Sequence, residues 1–163
     1  MCGIAGGLGA SRVGDVLVPE VVIDKASGDE FRAAPLAGFA AAGRLVTHDE
    51  FAMGADEQRA LVAAGIVAVD METSAVAAVC ASRDVPWSAV RVISDLVGVT
   101  PNDVIGLVKP DGSPDAAASI RYLVTKPWRI PRLARLARDS ERAARRAAET
   151  VARSLRLDPH PRP

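Results

Sequence analysis

The chain has 163 residues, of which 49% are hydrophobic and 25% charged, a balance typical of one globular domain. It contains no apolar run of about 18 residues, so we expect no transmembrane helix, and its N-terminus lacks the features of a secretory signal. The net charge of zero hides an asymmetry, because residues 128–163 carry ten arginines and four acids whereas residues 1–127 carry ten basic residues and sixteen acids. Cys2 and Cys80 form no disulfide framework or metal-ligand spacing, which favours a cytoplasmic protein without a metal site.

The first third of the chain favours short strands and loops. "CGIAGGLG" is typical of a strand end that runs into a tight glycine turn. "VGDVLVPEVVID" predicts one or two strands broken at Pro19, and "GRLVT" predicts another short strand. Between them, residues 25–43 are rich in Ala and Gly and predict a loop with a short helix.

The middle of the chain alternates helices and strands. "ADEQRALVAAG" predicts a helix that ends at Gly65, and "IVAVDME" predicts a buried strand. "TSAVAAVCASRD" predicts a helix, and "VPWSAVRVISD" predicts a strand. A strand, a helix and a strand joined by short turns favour a βαβ unit with parallel strands. The apolar face of that helix would contain Ala75, Val76, Val79 and Cys80.

Acidic residues stand at the carboxyl ends of both strands of this unit. Because ligands bind just outside those ends in open α/β sheets, Asp70, Glu72 and Asp95 should converge on one crevice. Carboxylates there can accept hydrogen bonds from sugar hydroxyls, and a carboxylic acid can protonate the leaving group of a glycosidic bond. The alternative is that these acids cap the following helix, which suits Asp70 best and leaves Glu72 and Asp95 open between the two interpretations.

The C-terminal part differs in character. Residues 97–114 predict a loop, the pattern becomes helical from Asp115, and a long helix follows the interruptions at Pro127 and Pro131. Its arginines recur every three or four residues, which indicates a solvated basic face or attraction to anionic lipid headgroups, with nucleic acid ranked last. The opposite stripe consists of Leu133, Leu136, Ala137, Ala144, Ala147, Ala148, Val151 and Leu155.

Two segments together resemble the purine nucleoside phosphorylase and nucleosidase superfamily. They are "CGIAGGLGASRVGDVLVP" and "VAVDMETSAVAAVCASRDVPWSAVRVISD", which match the family's glycine turn, its "[DE]ME" element and its strand ending in "SD". The C-terminal "GLVKPDGSPDAAASIRYLVTKPWRIPRLARLARDSERAARRA" is similar to the end of the hopanoid-associated phosphorylases. Members of the superfamily are longer at the N-terminus, so the resemblance implies either a start that is internal to a longer gene product or a degenerate, inactive homologue.

The resemblance implies a three-layer α/β/α fold with a central mixed sheet whose first strand or strands are missing. Residues 1–126 would form the phosphorylase-like domain, residues 127–157 a basic helical extension packed on it, and residues 158–163 a disordered tail. By the same resemblance, Asp95 would be the general acid at the purine N7. The substrate-binding residues would be Glu72 at the ribose hydroxyls, Met71 against the sugar, Phe51 in the base pocket, and Gly6.

The implied function is phosphorolysis of an adenosyl compound, adenosylhopane in the first place, with release of adenine in hopanoid biosynthesis. Inorganic phosphate would be a co-substrate, and no cofactor or metal is expected. The alternatives are a methylthioadenosine/S-adenosylhomocysteine-type nucleosidase, which is a hydrolase, and a truncated nucleoside-binding homologue without activity. We further expect a homo-oligomer, no nucleic-acid partner, and peripheral membrane contact through the arginine-rich helix.

Overall fold

A computed structural model describes residues 1–50, 53–98, 121 and 124–157. The described part folds into one seven-stranded sheet with flanking helices. The strands are β1 (Cys2–Gly7), β2 (Val16–Leu17), β3 (Val21–Asp24), β4 (Glu30–Arg32), β5 (Arg44–Thr47), β6 (Ile66–Asp70) and β7 (Val90–Leu96). The helices are α1 (Ala55–Ala63), α2 (Thr73–Ser82) and α3 (Ile130–Leu157), and a 3₁₀ turn (Pro127–Arg129) precedes the last of them.

The sheet is mixed, in the order β2-β7-β1-β6-β5-β3-β4. Strand β1 lies between β6 and β7, antiparallel to the first and parallel to the second, so β6 and β7 run in opposite directions. The predicted parallel βαβ unit of β6, α2 and β7 is therefore wrong. The local pattern showed a strand, a helix and a strand, but it could not show that a strand from the N-terminus inserts between them.

The predicted convergence of the strand ends nevertheless survives this reversal of direction. Strand β1 pairs with β6 only through its last two residues, Gly6 opposite Val69 and Gly7 opposite Ala68. Gly6 also stands opposite Asp95 of β7. The carboxyl ends of all three strands thus meet at one place, although β6 approaches it from the opposite side.

The glycine-rich segment at the N-terminus is a strand at the centre of the sheet, not the tight turn that the sequence favoured. Gly3 and Gly7 leave space for side chains of the neighbouring strand β7 and do not turn the chain. A Cβ on Gly3 would lie 2.0 Å from Arg91 Nη1, and one on Gly7 would lie 2.8 Å from Ile93 Cγ2. Close approach to β7 accounts for glycine here, and only Gly9, with φ of 61°, turns the chain after the strand.

The prediction of a short helix within residues 25–43 is also wrong. Strands β3 and β4 form an antiparallel hairpin, and Leu36 bridges Phe39 beyond it. Asp24 Oδ1 accepts the backbone N–H groups of Ala26 and Ser27, so its carboxylate organises the turn between the two strands.

Helix α2 begins at Thr73 as predicted, ends at Ser82 rather than Asp84, and is rotated away from its expected orientation. Val76 and Val79 are 39% and 52% exposed, Cys80 is half-buried, and the buried residues are Thr73, Ser74 and Ala77. Polar contacts set this rotation, because Thr73 bonds Asp70 and Ser74 Oγ donates to Asp24 Oδ2 at 2.7 Å. Buried hydrogen bonds have therefore overridden the apolar pattern.

Helix α3 packs along β1 and β7 and reaches Leu157, as predicted. Ala143 and Ala147 are buried with Val18, Val90 and Val92. The predicted apolar stripe is only partly buried: Leu155 is 62% exposed, and Ala137, Ala144 and Ala148 face solvent too. The loop predicted for residues 97–114 lies mostly, and the tail at residues 158–163 wholly, outside the described residues.

Within the described part of the chain, no helix is long and apolar enough to cross a membrane.

Candidate active site

The carboxyl ends of β1, β6 and β7 form one wall of a pocket of about 500 Å³. Four predicted site residues line it together: Gly6, Met71, Glu72 and Asp95. The fifth, Phe51, lies outside the described residues. The other lining residues are Gly3, Ile4, Ala5, His48, Glu50, Met53, Val69, Asp70, Arg91, Ser94, Val97 and Gly98.

Asp70 is the buried anchor of this pocket, with a side chain only 1% exposed. Its Oδ1 accepts the Thr47 hydroxyl at 2.8 Å and the Thr73 backbone N–H at 3.3 Å, and its Oδ2 accepts the Thr73 hydroxyl. A carboxylate that accepts an amide at the first turn of a helix caps it. Asp70 therefore takes the structural role that the sequence favoured for it.

Arg91 is the functional candidate that the sequence analysis missed. It is the second residue of β7, lies between Val90 and Val92, and is 3% exposed. Its Nη2 lies 2.6 Å from Asp70 Oδ2 and 3.5 Å from Glu72 Oε2, and its Nε and Nη2 both donate to Thr73 Oγ1. A charge inside an apolar strand was the available signal, because a buried arginine needs a buried partner.

One edge of this guanidinium forms no hydrogen bond to the described residues. Among the described residues, Arg91 Nη1 has no hydrogen-bond partner, while Nε and Nη2 are both engaged. Nη1 stands against the bare Cα of Gly3, which also lines the pocket. The fold thus holds a fixed N–H donor group at the pocket wall, close to the carboxylate of Glu72.

The two acids for which the sequence left a cap or a catalytic role open differ from Asp70. The Glu72 side chain is 64% exposed and its carboxylate forms no cap hydrogen bond with α2. Asp95 is half-buried, and its Oδ1 accepts the Ser94 hydroxyl at 2.8 Å. Glu72 does not cap α2 as Asp70 does, and both carboxylates line the pocket.

His48 is a second pocket residue that the sequence analysis did not select. Its Nδ1 accepts the backbone N–H of Glu50 at 2.9 Å, and its Nε2 lies 3.3 Å from Glu57 Oε1. A hydrogen bond from Lys25, the charge of Lys25 and contact with His48 hold the pKa of Glu57 below its ordinary value. Both ring nitrogens are therefore engaged, which suits His48 to holding structure rather than to moving a proton.

The pocket as a whole is acidic. Its described lining carries the carboxylates of Glu50, Asp70, Glu72 and Asp95 against one arginine and one histidine. Within the described residues, no group of three or more His, Cys, Asp or Glu side chains could hold a metal ion. The chemistry on offer is that of carboxylates, one guanidinium and backbone groups.

A mixed sheet whose strand ends enclose an acid-lined pocket defines an α/β fold of the phosphorylase and nucleosidase type. The profile of the family described as "Phosphorylase superfamily" matches residues 40–125, which is just over half of the chain. The chain belongs to this superfamily.

Individual relatives are nucleosidases. The chain is 56% identical over 34 residues to a 5'-methylthioadenosine/S-adenosylhomocysteine nucleosidase of Mycobacterium bovis, a match that covers 21% of this chain and 13% of the relative. Among solved structures, the Arabidopsis thaliana 5'-methylthioadenosine nucleosidase in apo form gives a TM-score of 0.57 at 19% identity. The Streptococcus pneumoniae MTA/SAH nucleosidase in complex with 8-aminoadenine gives 0.62 at 18% identity.

These structural matches take in nearly all of this chain but only part of each neighbour. They cover 94% of the chain and 60% of the Arabidopsis protein, and 96% of the chain and 67% of the Streptococcus protein. At such identities the matches establish the shared fold. The predicted three-layer α/β fold with a mixed sheet is thereby confirmed.

Proposed function

We propose that this chain cleaves the N-glycosidic bond of an adenine nucleoside by hydrolysis, with 5'-methylthioadenosine-type nucleosides as its substrate class. The observation that carries the proposal is the acidic pocket in which Glu72, Asp95 and a buried Arg91 meet. The nucleosidase relatives support the substrate class. Hydrolysis was the alternative in the sequence analysis, and the pocket now favours it over phosphorolysis.

Asp95 is proposed as the general acid. Breaking the bond between the anomeric carbon and the base leaves negative charge on the purine, and protonation at N7 relieves it. The hydroxyl of Ser94 donates to Asp95 Oδ1 and holds the carboxyl at the end of β7. In this assignment the proton passes from Asp95 to N7 of the leaving base. The attacking water loses a proton to solvent as it bonds to the anomeric carbon, and Asp95 is reprotonated from solvent.

Glu72 is proposed to bind the ribose. Its exposed carboxylate at the pocket wall can accept hydrogen bonds from two neighbouring hydroxyls, and its negative charge stabilises the positive charge that develops on the sugar. Met71, beside it, offers an apolar thioether for packing against the sugar. Gly6 lines the pocket at the point where the three strand ends meet.

Arg91 is proposed to hold the oxygen nucleophile. Its free Nη1 can donate to a water oxygen, and its Nη2 lies 3.5 Å from Glu72, which places that water near the ribose that Glu72 would bind. A phosphate anion would compete for a guanidinium that already pairs with Asp70 and would face the other pocket carboxylates. Like-charge repulsion therefore favours water as the nucleophile.

The test is release of adenine from 5'-methylthioadenosine by the purified chain, followed by ultraviolet absorbance without added phosphate. Asp95→Asn should lower kcat by about 100-fold or more, because general acid catalysis contributes about that factor. Asp84→Asn is the matched control, since Asp84 lies outside the pocket lining and has a φ of 52° that asparagine tolerates. Equal rates in the two variants, or no adenine release by the parent chain, would contradict the proposal.

A second candidate, phosphorolysis of adenosylhopane at a membrane surface, has one observation in its favour. Helix α3 presents its arginines to solvent, and the adjoining Trp128 and Ile130 are 70% and 45% exposed. Basic residues beside exposed aromatic and aliphatic groups suit an anionic lipid surface. A triterpenoid substrate would reside there.

Vesicles and phosphate separate the two candidates. The second candidate requires phosphate-dependent adenine release from adenosylhopane, together with cosedimentation on anionic vesicles that weakens in Trp128→Ala. Val124→Ala is the control for vesicle binding, because Val124 is 74% exposed on the chain before α3 and lacks an aromatic ring. Turnover of methylthioadenosine without phosphate, together with no vesicle binding, would contradict the second candidate and support hydrolysis.

The third alternative, an inactive nucleoside-binding homologue, predicts adenine binding without turnover. Calorimetric titration with adenine distinguishes it from both enzymes. The predicted cytoplasmic location and homo-oligomer stay predictions, and size-exclusion chromatography with light scattering tests the oligomer directly.

A further inference from the structure

The pocket wall between β5 and α1, formed by the described residues His48, Glu50 and Met53, is tied to α1 at two places. His48, Glu50 and Met53 line the pocket from this wall, and His48 directly follows β5. Glu57 and Gln58 are neighbours in the first turns of α1; Glu57 contacts His48, and Gln58 contacts Met53. None of these contacts has a place in the bond-cleaving chemistry.

The first tie runs through His48. Because the Glu50 N–H can only donate, the ring nitrogen Nδ1 must accept it at 2.9 Å, and the ring hydrogen is left on Nε2. Nε2 then donates to Glu57 Oε1 at 3.3 Å, and Lys25 Nζ donates to the same carboxylate oxygen. The His48 side chain is 10% exposed, so this tie lies largely out of water.

The second tie runs through Gln58. Its Nε2 donates to the Met53 backbone carbonyl at 2.9 Å. A Cβ on Gly98 would come within 2.9 Å of the same amide, so Gln58 also rests against the turn that follows β7. Gln58 thereby links Met53 to the turn that follows β7.

We propose that His48 is a positioning residue that, with Gln58, fixes this pocket wall to α1 and so sets the affinity for the nucleoside. The proposal rests on the proposed function of the same pocket. His48 does not act on the reacting bond, because both of its ring nitrogens are engaged. Loss of its tie to Glu57 should weaken substrate binding and leave the chemical step intact.

Two variants divide the roles of the ring nitrogens. In His48→Gln the side-chain amide N–H can replace the Nε2 donor to Glu57, whereas in His48→Asn the amide oxygen can replace only the Nδ1 acceptor of the Glu50 N–H. We expect His48→Asn and His48→Ala to raise KM for 5'-methylthioadenosine about tenfold, with kcat within about threefold of the parent. His48→Gln should restore KM to within about threefold, and Gln58→Ala should raise KM as His48→Asn does.

An NMR measurement tests the tie without turnover. Long-range ¹H–¹⁵N spectra of the full chain should show the His48 ring as the Nε2–H tautomer, assigned by its loss in His48→Asn. An Nδ1–H ring, a His48→Asn variant with parental KM, or a loss confined to kcat would overturn the inference. If the chain shows the expected tautomer but releases no adenine, the proposed function is contradicted and the His48–Glu57 hydrogen bond is supported. If the chain releases adenine but shows the other tautomer, only the positioning role of His48 is contradicted.

Discussion

The floor of the pocket, which is formed by Arg91 and Asp70, uses charge in the opposite way to helix α3. Beneath the pocket, Arg91 and Asp70 are almost wholly buried and bonded to each other and to Thr73. Along α3, Arg145 and its partner Glu141 are 74% and 62% exposed, one helical turn apart. Buried charges of this kind must be paired, whereas exposed pairs contribute little, so the few charges in the floor matter far more to the fold than the many on the helix.

The largest expected effect comes from removing the buried cation. Arg91→Met should lower the free energy of unfolding by about 3–5 kcal/mol, because it leaves the Asp70 carboxylate buried without its partner. The measurement is urea unfolding followed by circular dichroism. Arg145→Met is the matched change on α3 and should cost about 0.5 kcal/mol or less. Similar decreases in the free energy of unfolding in both variants would contradict the proposed difference between the pocket floor and α3.

A smaller effect is expected from the glycine that makes room for the guanidinium. Gly3→Ala should cost about 1–3 kcal/mol, because its Cβ would overlap Arg91 Nη1. Gly54→Ala is the control, at a position with open space and a φ of −66°, and should cost about 0.5 kcal/mol. In an Arg91→Met background the cost of Gly3→Ala should shrink. An undiminished cost there would show that the overlap with Arg91 is not its cause.

The smallest effect is a pH dependence at the margin of the pocket. The hydrogen bond from Lys25 lowers the pKa of Glu57 from its ordinary 4.5, so the folded state holds this proton less tightly than the unfolded chain. The resulting stability is complete above about pH 4.5 and is lost as the pH falls through the lower folded value. Glu57→Gln should flatten the dependence of stability on pH in this window. The measurement is the free energy of unfolding by urea at a series of pH values. The same dependence on pH in Glu57→Gln and in the parent would contradict this prediction.

The sequence predicted those features that depend on neighbours along the chain. Glu72 and Asp95 come shortly after the apolar runs of β6 and β7, so their place near strand ends could be inferred from local pattern. The start of α2 and its cap at Asp70 are local in the same sense.

What could not be predicted depends on residues that are distant along the chain. In the sequence, Arg91 is a charged residue within an apolar strand, and its pairing with Asp70 becomes visible only in the folded structure. The placement of β1 between β6 and β7 decides strand direction, and its signal is a set of glycines that also suit a turn. The rotation of α2 follows from hydrogen bonds to Asp24 and Asp70, and these hydrogen bonds cannot be inferred from the spacing of the hydrophobic residues.

The most direct test of the account is the identity of the sugar product formed from 5'-methylthioadenosine in the presence of saturating phosphate. Mass spectrometry separates free methylthioribose from its 1-phosphate ester. The account predicts adenine and free methylthioribose, at a rate that phosphate does not raise and that Asp95→Asn lowers about 100-fold or more. Accumulation of the 1-phosphate ester, or no adenine at all, would contradict hydrolysis in this pocket.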